Sequence, residues 1–253
     1  METYENFARV YDELMDNVPY EEWGKFIREK LVEDGISDGL ALDLGCGTGK
    51  MTMLMGSYGY DMIGVDSSID MLEIAREKAM DAPQKYLYLL QDMTEFELYG
   101  TVRAVVSVCD SVNYITDPDA LLQVFKLVNN YLDPQGLFLF DFNTEHKYRD
   151  EIGSTVIAED RDDVSFIWYN EYDQEEHLND IDLSVFVRRP DDLYQKFQEE
   201  HIQRGYTLEE IKSLLKKSGL VFVDAYDGYQ NKPADKDSQR IVILAREHGK
   251  MVE

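Results

Sequence analysis

The sequence predicts an α/β fold, doubly wound around a largely parallel sheet, and three observations carry that expectation. Short apolar runs alternate with amphipathic stretches from Leu40 to Asn143, the rhythm of parallel strands covered by helices on both faces. The first run, "LALDL", passes directly into "GCGTGK", and glycine at such a turn lets the backbone bend sharply and approach a ligand. Beyond Asn143 the helical period gives way, over residues 154–206, to the alternation typical of antiparallel strands.

Ahead of the sheet, "YENFARVYDELM" places Phe7, Val10, Tyr11 and Leu14 on one helical face. Pro19 then opens "YEEWGKFIREKLVE", where Trp23, Ile27 and Leu31 form a second stripe ending at Gly35 and Gly39. These two helices, residues 1–39, are expected to act as a lid. "LALDL" is the first strand and "TGKMTMLMGSYG" the helix after it. "DMIGVD" is the second strand, followed by "SSIDMLEIAREKAMD", with Ser67 expected as cap and Asp70 at the third helical position. "YLYLL" gives a third strand ending in "QDM", and "AVVSVC" a fourth. Asp117 as cap and Pro118 as first helical residue start "DPDALLQVFKLVNNYL". "GLFLFDF" is the fifth strand, and residues 40–153 are read as the core.

Within residues 154–206, "IDLSVFV" aligns Ile181, Leu183, Val185 and Val187 on one face, with "VSFIWYNEY" and "YQKFQEEHIQRGY" as partner strands. "AEDRDD" and "DQEEHLND" read as solvated hairpin tips. Thr207 and Glu210 form a capping box for "TLEEIKSLLKKSG". Lys216 and Lys217 in its last turn and Gly219 beyond suit the helix dipole and a left-handed cap. Two strands, "LVFVDAY" and "RIVILAR", joined by "DGYQNKPADKDSQ", complete residues 207–253.

The chain has 253 residues, 44% of them hydrophobic, enough for an ordinary core. Its 51 acidic residues against 25 basic give a formal net charge of −26, a field that repels phosphate backbones and disfavours a nucleic-acid partner. The same field could attract a cationic substrate, although a solvated acidic surface is the preferred explanation. The N-terminus lacks the basic and apolar regions of a signal peptide, and no apolar run approaches the ~18 residues of a membrane span. A cytoplasmic protein without a membrane partner is expected. Cys46 and Cys109 have no metal-ligand spacing, so no metal is expected.

Three readings of the glycine turn compete. A mononucleotide P-loop would need glycine at position 44 and Ser or Thr at 51, where the chain has Leu44 and Met51. The dinucleotide fingerprint fits Gly45 and Gly47 but meets Lys50 at its third glycine. There remains D-x-G-x-G-x-G, formed by Asp43, Gly45, Gly47 and Gly49. This resembles motif I of the class I S-adenosylmethionine-dependent methyltransferases.

The resemblance implies S-adenosyl-L-methionine as cofactor, with S-adenosyl-L-homocysteine as product. It assigns Asp66, with Ser67 next to it, to the ribose hydroxyls, Asp92 to the adenine amino group, and Met93 to a backbone N–H and an apolar contact. Asp43, Cys46 and Cys109 complete the cofactor cradle around the glycines. It also implies a Rossmann-like, seven-stranded sheet in the order 3-2-1-4-5-7-6 with the last strand antiparallel. The ligand would sit at the switch point above strands one and four, and the antiparallel insert would form its roof.

Within that family, "VVSVCDSVNYI", "GLFLFDFN" and "HIQRGYTLEEIKSLLKKSGL" look like the small-molecule N-methyltransferases, of the nucleotide-sugar amine and glycine types. After the fourth strand the chain reads "CDSVNY", not the Asn/Asp-Pro-Pro-Tyr type of motif. The implied reaction is in-line methyl transfer to a nucleophilic nitrogen or oxygen of a small molecule. By location, His201 and Tyr11 are the catalytic candidates, and Asp110, Asn113, Tyr114 and Gln203 the acceptor contacts. His201 titrates near neutrality and could take a proton, but it also reads as an ordinary strand histidine, and Tyr11 as a core residue. An RNA methyltransferase, a silent cofactor-binding scaffold, and a nicotinamide-dependent dehydrogenase stay open as alternatives. Both a monomer and a homodimer are compatible with the sequence.

Overall fold

In a computed structural model, which describes residues 8, 10–12, 14–189 and 191–250, the first long helix is α1 (Tyr20–Glu33). The order continues β1 (Gly39–Leu44), α2 (Lys50–Ser57), β2 (Tyr60–Asp66), α3 (Ile69–Ala79), β3 (Leu87–Leu90) and β4 (Val102–Ser107). Next come α4 (Pro118–Tyr131) and β5 (Leu132–Asn143), then four strands, β6 (Val156–Asp160), β7 (Val164–Asp173), β8 (Leu178–Arg188) and β9 (Tyr194–Arg204). The chain closes with α5 (Leu208–Ser218), β10 (Val221–Asp227) and β11 (Arg240–Arg246). Phe7, expected on the first apolar stripe, lies outside the described residues. Residues 8, 10–12 and 14 of that stretch are helical.

The central sheet has seven strands in the order β10-β11-β5-β4-β1-β2-β3. Pairing is parallel from β3 to β5, and β11 runs antiparallel to both neighbours. Numbered within this sheet alone, the order is the expected 3-2-1-4-5-7-6 with the final strand reversed. The strands are apolar on both faces because both faces are covered. On β5, Phe138, Phe140 and Phe142 join the core beneath α4 and α5, whereas Leu137 and Leu139 join the one beneath α1 and α2.

The remaining strands form a second sheet, β6-β7-β8-β9, antiparallel throughout. Ile181, Leu183 and Val185 of β8 are buried on one face, where Val10 joins them and Tyr11 and Leu14 pack alongside. This insert leaves the core at Thr144 and returns at Tyr206, and those two residues are bridged. The Glu145 N–H donates to the Tyr206 carbonyl at 3.1 Å. Ala158–Asp160 of the expected acidic tip belong to β6, leaving residues 161–163 as the turn.

Helix ends follow their local chemistry. Thr207 and Glu210 form the capping box of α5, and Gly219 ends it at φ 91°. Asp117 caps α4, its carboxylate accepting the Asp119 N–H. One expectation is corrected: Ser68, not Ser67, caps α3, its hydroxyl accepting the Met71 N–H at 3.3 Å. Asp66 takes the Ser68 N–H at 2.9 Å, which extends the turn by one residue and puts Asp70 at the second helical position.

Candidate active site

The glycine turn is pinned to the tip of β2, where the Val65 carbonyl accepts from the N–H groups of Gly45 (2.8 Å) and Cys46 (3.0 Å). Three loops converge on Gly45, since a Cβ built there would fall 2.8 Å from Ser111 Oγ, after β4, and 3.3 Å from Met93 Cε, after β3. Gly45 therefore accommodates the loop behind it. Gly47 differs: at φ 52° it has nothing within 4 Å of a virtual Cβ. This bare, left-handed backbone borders open space, as a cradle for a ligand requires.

Asp66 holds Gly47 in place, its Oδ2 accepting the Gly47 N–H at 2.8 Å. Burial raises its pKa, while the N–H groups of Ser68, Gly47 and Ser67 oppose the rise. Asp43 is fully buried, and Thr52 donates to its Oδ2 at 2.6 Å. Burial, reinforced by nearby Asp66, raises Asp43 to about 7 against the Thr52 hydrogen bond. Its Oδ1 has no hydrogen-bond partner among the described residues. Asp92 is exposed, its Oδ1 accepting from the Thr94 N–H (2.7 Å) and hydroxyl (2.6 Å). Carboxylates thus stand at the tips of three successive strands.

Past β4 the backbone takes an unusual path. Cys109 (φ 57°) and Asp110 (φ 52°) are both left-handed without being glycine, a costly arrangement unless its surroundings impose it. Asp141, buried within β5, imposes it: its carboxylate accepts from Cys109 N (3.1 Å) and Asp110 N (2.6 Å). Arg240 bridges Asp141 (2.7 Å) and Asp110 (2.6 Å) from β11, and Tyr229 donates to Asp141 at 2.5 Å. Burial disfavours the Arg240 charge, but the two carboxylates outweigh it and hold its pKa above the ordinary value. Trp23 stacks on Tyr229 at 4.3 Å, and the Arg240 guanidinium lies over the Trp23 ring at 5.2 Å.

The roof joins the same network. Gln203 donates to Asp110 at 2.7 Å and accepts from Tyr148 at 2.8 Å, and Tyr148 in turn accepts from Asn143 at 3.1 Å. Asn113 accepts the Asn143 N–H (2.9 Å) and donates to the carbonyls of Asn143 (2.8 Å) and Arg204 (2.7 Å). Its amide is therefore a tie between the loop after β4, the end of β5 and the roof. Tyr114 and His201 meet edge to face at 5.8 Å. Burial lowers the His201 pKa, which keeps the imidazole neutral near pH 7. Tyr11 lies within the influence of Cys109, Tyr114, Asp110 and Asp12, and burial together with these groups keeps its phenol protonated.

The N-terminal segment is anchored at several points. Asp12 accepts from the Thr48 hydroxyl at 2.7 Å and pairs with Lys78, and Asp16 pairs with Arg161 of the insert at 3.0 Å. Both cysteines are free; burial, with Asp43 beside Cys46 and Asp141 beside Cys109, raises both thiols and leaves them protonated. Among the described residues no group of His, Cys, Asp and Glu could hold a metal ion. No helix there is long and apolar enough to cross a membrane.

Asp141, Arg240, Tyr229, Tyr148, Asp12 and Thr48 were not among the residues expected from sequence. The only signals for two of them were an acid within the apolar run "GLFLFDF" and an arginine opening "RIVILAR".

A family model of a methyltransferase domain matches residues 41–136. YqeM of Bacillus subtilis (strain 168), which carries a provisional methyltransferase name, is 34% identical over 244 residues, 96% of each chain. The crystal structure of an S-adenosylmethionine-dependent methyltransferase from Clostridium acetobutylicum ATCC 824 superposes with TM-score 0.89 at 35% identity, covering 97% of this chain and 99% of that one. The fold is shared with CalS10, an amino pentose methyltransferase from Micromonospora echinaspora, at TM-score 0.77 and 16% identity, covering 94% and 97%.

Proposed function

The chain belongs to the S-adenosyl-L-methionine-dependent methyltransferases, and on that premise we propose that it methylates a nucleophilic nitrogen, or oxygen, of a small molecule held beneath its four-stranded roof. The observation that carries this reading is the closure of the roof onto the switch point. Gln203 bonds Asp110, Asn113 bonds the Arg204 carbonyl, and His201 meets Tyr114. A roof tied to the switch point by such contacts suits a compact acceptor better than a polymer. The net charge of −26 likewise argues against RNA. The amino pentose substrate class of the structurally similar CalS10 points the same way.

The residues present fit the cofactor. The unpartnered Asp43 Oδ1 and the bare backbone at Gly47 are features that a ligand bearing a cationic amino acid would complete. In this reading Asp43, Gly45, Cys46, Gly47, Gly49 and Cys109 cradle the methionine end, Asp66 and Ser67 the ribose, and Asp92 and Met93 the adenine. When bound, the cofactor supplies an activated methyl group on a sulfonium. The protein's task is to align the acceptor and exclude water. Asn113 and Gln203 position the loop after β4, and in this reading Tyr114 contacts the acceptor with Tyr11 beside it. His201, neutral near pH 7, is the candidate to receive the acceptor's proton at an imidazole nitrogen. Asp110 is a weaker electrostatic candidate, because Arg240 and Gln203 already occupy its two oxygens.

Radiolabelled cofactor tests the proposal. Incubation with small-molecule and macromolecular fractions of a bacterial extract should place label in the small-molecule fraction. Label confined to RNA or protein would refute it.

A further inference from the structure

Glu199 is only 5% exposed, on the face of β9 that also buries Phe197 and Gln203. Its Oε1 has no hydrogen-bond partner, and no ion pair reaches its carboxylate among the described residues. Burial raises its pKa. A buried carboxyl group without a partner costs stability and calls for an explanation. Among the described residues its surroundings supply no partner. The residue directly across is Leu183, and the cross-strand row continues to Trp168 on β7. Val10 and Phe197 belong to the same apolar cluster as Leu183, and Trp168 packs against it.

Position supplies the explanation. His201, two residues along β9 from Glu199, meets Tyr114, and Gln203, two further on, bonds Asp110. The same strand face therefore runs from the switch point to Glu199. Trp168 lies two interstrand spacings from Glu199, roughly 10 Å between backbones, and its indole N–H is held by Asn170 Oδ1 at 3.0 Å. A carboxylate and an aromatic ring flanking one leucine form a surface that attracts a cation and repels an anion. The acidic field of the whole chain would draw the same kind of molecule inward.

We propose that Glu199 is the cation anchor of the methyl-acceptor site, receiving an ammonium or alkylammonium group of the acceptor beside the Trp168 indole. The inference rests on the small-molecule reading above and narrows it to amine-bearing acceptors.

Methylammonium is the simplest probe. Full-length protein saturated with S-adenosylhomocysteine is melted in about 100 mM methylammonium chloride and in equimolar sodium chloride, alongside Glu199→Gln and Glu199→Leu. The expected result is a rise of about 2–3 °C in the unsubstituted protein beyond the sodium control, absent from both variants. Affinity for S-adenosylhomocysteine should change less than about twofold in Glu199→Gln, as for a residue outside the cofactor cradle. No rise, or an equal rise in the variants, overturns the assignment. A separate turnover arm offers labelled cofactor with amino sugars and their N-acetyl counterparts. Label entering a free amine, and falling at least about tenfold in Glu199→Gln, supports the anchor; equal labelling of N-acetyl partners overturns it. Label entering only macromolecules would refute the small-molecule reading, while the methylammonium shift still decides Glu199 independently.

Discussion

Arg240 Nη1 stands 2.7 Å from Asp141 Oδ1, an ion pair between neighbouring strands at the heart of the sheet. Through Asp141 the pair fixes two consecutive left-handed residues, Cys109 and Asp110, at the mouth of the site. Removing Asp141 leaves Arg240 with Asp110 as its remaining carboxylate and strips the Cys109 and Asp110 N–H groups and the Tyr229 hydroxyl of their acceptor. Asp141→Ala is therefore expected to lose about 3–5 kcal/mol of unfolding free energy, measured by urea denaturation. It should also weaken S-adenosylhomocysteine binding, because the Cys109–Asp110 turn loses its template. Unchanged stability would show that Asp110 alone satisfies Arg240.

Asp66→Ala should weaken cofactor binding by about 1–3 kcal/mol, the range for losing hydrogen bonds to a charged group, read by calorimetry with S-adenosylhomocysteine. Gly47→Val should bind more weakly still. A valine is strained at φ 52° and would occupy the open space above the turn. Equal affinity in both variants would exclude the glycine turn as the cradle.

Asp43 makes ligand-free stability depend on pH. Its folded pKa is raised from 3.8 to about 7, so the folded state holds this proton more tightly than the unfolded chain. The associated stability is fully present below about pH 4 and is lost as pH rises toward 7, by about 4 kcal/mol at most. Asp43→Asn removes this titration. Comparing unfolding free energies from pH 4.5 to 8, the unsubstituted protein should fall relative to Asp43→Asn and level off above about pH 7. Parallel curves would mean that Asp43 titrates normally.

Asp12 joins the N-terminal segment to the glycine turn through Thr48 and to α3 through Lys78. Asp12→Asn should accelerate S-adenosylhomocysteine release by roughly fivefold, the effect of about 1 kcal/mol for a partly exposed contact. Stopped-flow displacement measures this rate. No change in release would separate this segment from the cofactor's exit path.

Much of the central fold could be read from the chain because its signals are local. The "LALDLGCGTGK" strand–turn–helix, the Asp117–Pro118 start of α4 and the Thr207–Glu210 capping box each lie within one short stretch, and each has the expected geometry. The error at Ser67 arose within a local signal, because either adjacent serine could cap until Asp66 claimed the Ser68 N–H. The centre of the site was harder to read. Asp141 meets Cys109 across 32 positions and Arg240 across 99, and no periodicity encodes a pairing created by strands brought together in the sheet. Gln203 and Asp110 could each be named from their places in the chain, but their pairing across 93 positions could not.

The bridge between Thr144 and Tyr206 has an evolutionary consequence. Sixty-odd residues depart and rejoin the polypeptide at one point, as a side loop does on a railway. A differently shaped excursion could be grafted there without lengthening any connection in the main line. Catalysts descended from a common ancestor could then retain the adenosyl machinery while changing the molecules they modify, and a chimera spliced at these two positions would be the natural way to transplant a preference.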